Sequence, residues 1–107
     1  MPGKMRRVST ERTPRTARYI ESGQWPDATL TPDAPAHVAR VQAMCRRLRD
    51  RIDDTGESAR SVAHRAGIAP STVTRVLQGQ TWCDVATLAA LEDALGVDVW
   101  LPHGSTD

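Results

Sequence analysis

No run of apolar residues in this 107-residue chain approaches the roughly 18 that a bilayer-spanning helix needs, so no membrane segment is expected. The basic N-terminus has no apolar stretch behind it, which argues against a secretory signal and for a cytoplasmic location. Cysteine is scarce. Cys45 and Cys83 are too few for a disulfide framework, and each stands beside apolar residues, so both are expected to be ordinary buried thiols. His37, His64 and His103 show no ligand spacing with them, which excludes a zinc site, and nothing implies any other metal or cofactor. There is no phosphate-binding loop and no paired-carboxylate arrangement. Ser61 and His64 lack an acid partner, an oxyanion site and a nucleophile turn, so no enzyme is expected and His64 is read as a surface histidine. Strand alternation and internal repeats are missing as well.

What is there has the texture of one small globular domain, with 39% hydrophobic and 25% charged residues. The net charge of +1 singles out no partner, but its distribution is uneven. Residues 1–20 carry six bases (Lys4, Arg6, Arg7, Arg12, Arg15 and Arg18) against Glu11 alone, a local charge of +5. Residues 21–35 carry −3, and the remainder −1. A basic arm on a near-neutral body is a frequent arrangement in nucleic-acid binders, and it makes Arg6 and Arg7 candidates for phosphate contact.

Residues 1–12 lack periodicity and read as disordered. "TPRTARYIESG" suits a brief helix, with Thr13 as N-cap, Pro14 at the first helical position and Gly23 past the end. "QWPDATLTPDAP" holds three of the seven prolines and reads as a linker, from which Trp25 and Leu30 can still pack back onto the domain. Residues 1–35 are therefore taken as arm and linker, 36–102 as the domain and 103–107 as a tail.

Within the domain, Val38, Val41, Cys45, Leu48 and Ile52 recur at alternating spacings of three and four, the stripe of an amphipathic helix that Gly56 closes. Ser58 suits the N-cap of a helix over 59–66. Pro70 opens another over 70–77, and Asp84 caps a fourth that presents Leu88, Leu91 and Leu95 and ends at Gly96. Val97, Trp100 and Leu101 are expected to close the core as a lid, with Trp82 also inside. The predicted core comprises Val41, Leu48, Ile52, Val62, Ala63, Val73, Val76, Leu88, Leu91 and Leu95. The expected fold is all-α, a compact bundle of four to five helices preceded by a basic, partly disordered arm.

The two shortest helices carry the functional signal. Two helices joined by a tight turn at a wide angle need a small residue where they touch, a glycine in the turn and apolar residues on both sides. Ala63, Gly67, Val62, Ile68, Val73 and Val76 meet that need and describe a helix-turn-helix, whose second helix enters the DNA major groove. With these residues, and with "LQGQ" and "LEDALGV" behind them, the stretch 58–97 resembles the phage-repressor (Cro/XRE-type) helix-turn-helix family. The preceding helix extends the resemblance to about residues 36–101.

The resemblance implies a sequence-specific, double-stranded DNA-binding transcriptional regulator, cytoplasmic and nucleoid-associated, expected to act as a repressor and to bind as a homodimer. Carried over by position, Ser71, Thr72 and Arg75 face base edges, with Thr74 at the margin. Ser58, Gln78, Gln80 and Thr81 hold phosphates. Members often have glutamines at the start of the second helix, where this chain has Pro70-Ser71-Thr72, so base readout is expected to rest heavily on Arg75. Its guanidinium can donate to guanine O6 and N7 together, and the Thr72 methyl suits a thymine methyl. A competing reading is an antitoxin-type module that holds a protein partner through residues 13–30 while still binding operator DNA. Another is a helix-turn-helix that has lost DNA binding.

Overall fold

The computed structural model describes residues 16–102. The expectations for residues 1–15, including Thr13, Pro14, Arg6 and Arg7, and for the tail 103–107 lie outside the described residues. Element order is a single 3₁₀ turn (Ala17–Tyr19), strands β1 (Ile20–Ser22) and β2 (Thr29–Leu30), then helices α1 (Ala36–Thr55), α2 (Ala59–Ala66), α3 (Pro70–Leu77) and α4 (Val85–Leu95). Among the described residues no helix is long and apolar enough to cross a membrane.

α1 is the spine. Its apolar stripe puts Val38, Met44, Cys45, Leu48 and Ile52 in the core. α2 begins where the Ser58 hydroxyl accepts the Ser61 backbone N–H at 3.0 Å, satisfying one of the donors that a helix start leaves unpaired. It ends at Gly67, whose φ of 75° lies in the left-handed region that only glycine enters without strain. α3 follows with Pro70 in its first turn, and α2 packs against both α3 and α4. Ala63 is fully buried, so no larger side chain separates the packed helices. Asp84 caps α4 by accepting the Thr87 N–H at 2.7 Å. Of the predicted core, Val41, Leu88 and Leu95 are half-buried against it and the others are buried.

The N-terminal part departs from the sequence reading. The fold is mostly helical rather than all-α, because Ile20–Ser22 pairs antiparallel with Thr29–Leu30, with Ile20 opposite Leu30 and Ser22 opposite Thr29. Within the stretch expected as a brief helix, the described residues form the turn Ala17–Tyr19 and the strand Ile20–Ser22, and the supposed linker is part of the globule. The physical reason is long-range. Thr16 donates to the Gly79 carbonyl through its backbone N–H (3.3 Å) and its hydroxyl (3.0 Å). Trp25, only 8% exposed, and Ala28 join the core, and buried Gln42 on α1 donates to the Ala28 carbonyl at 2.8 Å. These contacts offset the ordering cost of a proline-rich stretch with little local preference of its own.

The C-terminal lid differs too. Val99 is the fully buried residue, while Trp100 (37% exposed) and Trp82 (36%) stay at the surface rather than in the core. Glu92 accepts the backbone N–H groups of Val99 and Trp100, and Arg47 and Arg40 on α1 donate to the carbonyls of Val99 and Leu101. These bonds fix the segment with Val99 inward. Trp100 is left under the Arg40 guanidinium, 4.5 Å from its ring centre. Cys45 is buried as expected, but Cys83 is half-buried. Burial raises both thiols above their ordinary range, Cys83 to about 12, so neither is a thiolate at neutral pH.

Gly79 and Gly67 have the same φ of 75°, yet a Cβ on Gly79 would stand 2.6 Å from the Thr16 hydroxyl and 2.7 Å from the Trp25 ring, whereas one on Gly67 would meet nothing within 4 Å. Gly67→Ala is expected to cost about 1–2 kcal/mol, the left-handed backbone penalty alone. Gly79→Ala should cost about 1–3 kcal/mol more, from overpacking. Equal unfolding midpoints in urea would show that residues 16–25 do not press on Gly79.

Three carboxylates are held below their usual range: Asp27 by the Arg49 guanidinium, Glu57 by Arg65 and then Ser61, and Asp84 by the Thr87 N–H and hydroxyl. A lowered folded pKa adds stability above the ordinary carboxylate value of about 4, and that stability disappears as pH falls through the folded value. Asp84→Asn retains a cap oxygen but cannot titrate. Between pH 7 and pH 3 its melting temperature should therefore fall less than that of the unaltered protein. Parallel decreases in the two would remove Asp84 from the acid response.

Candidate nucleic-acid interface

α3 has one apolar face and one polar face because its residues divide at helical spacing. Val73 and Val76 point inward and are buried. Ser71, Thr74 and Arg75 lie on the exposed side, and Thr72 is half-buried at its edge. Ser71 and Arg75 are four residues apart and Thr72 and Arg75 three, so their side chains share one outward arc. Leu77 packs against the core from the helix end. The outward surface is thus two or three short hydroxyls around one long guanidinium, on a helix of only eight residues.

The other cations show why Arg75 differs. Arg49 pairs with Asp27 at 2.6 Å, Arg65 pairs with Glu57, and Arg46 donates to the Pro26 carbonyl. Arg40 and Arg47 fasten the C-terminal segment, and Arg18 stacks on Tyr19 at 5.3 Å. The Arg75 side chain makes no hydrogen bond or ion pair among the described residues and faces water. Arg60 is in the same condition, exposed in the first turn of α2 and unpaired there. A cation at that position opposes the positive end of the helix dipole, which an external anion would relieve. Sequence reasoning passed over Arg60. The available signal was a base in a first turn with no acid there.

Gln78 and Gln80 are exposed just past α3, with the Gln80 amide donating to the Gln78 side-chain oxygen at 3.0 Å, and Thr81 is half-buried beside them. Their loop is tightened by the Gln80 N–H on the Arg75 carbonyl, at 2.9 Å. The N-terminal segment lies on the same side. Thr16, Gln24, Gln78 and Gln80 line an open hollow of about 360 Å³, and Thr16 is tied to Gly79 between the two glutamines. Ser58 is exposed at the start of α2, with its hydroxyl already engaged in the cap. Ser61 donates its hydroxyl to Glu57, and His64 is exposed. Arg6 and Arg7 lie outside the described residues.

No curated protein and no solved structure matches this chain. The family model described as a helix-turn-helix domain matches residues 43–101, more than half of the sequence, and spans everything from the middle of α1 to Leu101. Such a domain points to a DNA-binding regulator. With α2, the Gly67 turn and α3 in the arrangement described, the protein belongs to the helix-turn-helix domain family.

Proposed function

We propose that the protein is a sequence-specific regulator of transcription that lays α3 in the major groove of double-stranded DNA and represses by occupying its site. The observation that carries this reading is the unpaired, exposed Arg75 guanidinium on the outward arc of α3. Most arginines of the described chain are engaged with the protein itself, and this one is offered outward at the position from which a short helix can reach a base edge. In this reading Ser71 and Thr72 flank it on the bases, with Thr74 at the margin. Gln78, Gln80, Thr81, Ser58 and Arg60 hold phosphates, which position the helix without carrying sequence information. Two copies bind a pseudo-palindromic site with their recognition helices about 34–36 Å apart. The antitoxin-type alternative needs residues 13–30 for a partner, and Thr16, Trp25 and Ala28 of that stretch are already committed to the core.

Selection of bound sites from random duplex DNA tests the reading and returns the consensus. Arg75→Ala should relax one position per half-site by about 1–3 kcal/mol, whereas Gln78→Ala and Thr81→Ala should weaken all sequences nearly equally. An unchanged consensus for Arg75→Ala would remove it as a base reader.

The basic arm enters the same reading through Thr16. Thr16 itself is tied to Gly79, between Gln78 and Gln80, and in this reading Arg6, Arg7 and the other bases that precede it in the sequence bind phosphates. Each phosphate neutralised steepens the log-affinity against log-salt slope by roughly 0.9 on B-DNA. Deleting residues 1–15 should flatten that slope by a few units and leave the preferred sequence unchanged. Identical slopes for the full-length and truncated proteins would exclude the arm from DNA.

A further inference from the structure

Among the described residues, the surface away from α3 carries a strongly apolar feature. A groove of about 500 Å³ opens between the first half of α1 and the start of α4, lined by His37, Met44, Trp82, Val85, Leu88 and Trp100 among others. Among the described residues, the large hydrophobics that remain exposed are Trp82, Val85 (82% exposed) and Trp100, and all of them border this groove. Monomeric proteins rarely gather their exposed apolar side chains in one place without a partner to cover them.

We infer that the groove is the face through which two copies of this chain pair. The short segments that flank the described residues have little that suits an apolar groove. Residues 103–107 contain no apolar side chain, and residues 1–15 offer only Met1, Met5 and Val8 dispersed among polar and basic residues. The lining carries no carboxylate and no guanidinium, so two such faces meet without like-charge repulsion. A two-fold contact needs a patch that holds both a projection and a hollow. Val85 stands out from the α4 side, and the groove lies next to it.

The borders complement each other as well. The α1 side carries Arg40, stacked on Trp100, and the α4 side carries the exposed Asp84. A two-fold axis running along the groove sets the α1 wall of each copy against the α4 wall of the other, with Arg40 opposite Asp84 of the second copy. The groove is also continuous in the chain with the DNA-facing loop, since Trp82 follows Thr81. This inference deepens the proposed dimeric binding mode and rests on it for the use of the pair on DNA.

The test is sedimentation equilibrium of the full-length protein and of Val85→Glu, together with binding of each to duplexes carrying one or two half-sites. Val85 is exposed at the first position of α4, where an acidic residue is favourable, so the variant keeps its fold, and matching thermal melts verify this. The unaltered protein should self-associate reversibly, with its tryptophan emission shifting to the blue as Trp82 and Trp100 lose water. Val85→Glu should dimerise roughly tenfold or more weakly, because a carboxylate is then buried in an apolar interface. It should bind a single half-site as before and lose cooperativity on two. A strictly monomeric unaltered protein that fills two half-sites independently would overturn the inference and leave the groove to a small apolar ligand or another protein. Undiminished dimerisation of Val85→Glu would overturn it equally. Failure of both proteins on a single half-site would count against the DNA reading alone, with sedimentation still deciding the groove.

Discussion

Ala63 is fully buried in α2, the helix that packs against both α3 and α4, and Gly67 bends the chain immediately after that helix. A larger side chain at a fully buried position between packed helices is costly to fit, and a left-handed residue is the shortest way to turn out of α2. From that constraint follow the brevity of α2 and α3, the burial of Val62, Val73 and Val76, and the outward display of Ser71, Thr74 and Arg75. A longer side chain at residue 63 would lift α3 away from the body and spoil its presentation. The outward face of α3 is in this sense a product of packing behind it.

The same helix is held from its other end by residues remote in the chain. Thr16 and Trp25 close on Gly79, two residues past the end of α3, and so connect the N-terminal segment to the loop that follows that helix. Arginines on α1 serve a matching purpose at the C-terminus, where Arg40 and Arg47 hold the carbonyls of Leu101 and Val99. A domain of this size buries a small share of its surface, and such side chain to backbone bonds add fixed points that the hydrophobic core cannot supply. They also consume cations, which is why the exposed, unpaired guanidinium of Arg75 stands out.

Much of the helical frame was legible because its signals are local. The apolar spacing of α1, the caps at Ser58 and Asp84, Pro70 in the first turn of α3 and the glycines that end α1, α2 and α4 all act within a few residues. Trp82 and Trp100 were misread for the opposite reason. A large apolar side chain reads as core in a sequence, yet Trp82 and Trp100 border a groove while Trp25, in a proline-rich stretch, is inside. Which tryptophan is buried depends on the elements that reach it, and none of those is its neighbour in the chain. Arg60 escaped notice because only the fate of every other arginine makes an unpaired one conspicuous.

What the sequence determined by itself, then, is the set of four helices, the tight turn between α2 and α3 and the polar arc of Ser71, Thr72 and Arg75, since helical periodicity and end signals settle each from nearby residues. The tertiary structure alone decided that residues 16–31 form a turn and a two-stranded sheet on the domain, that Val99 rather than Trp100 closes the core, and that the exposed tryptophans share one groove with Val85. Those outcomes rest on contacts such as that between Thr16 and Gly79, 63 residues apart, whose energy exists only once both ends have been brought together.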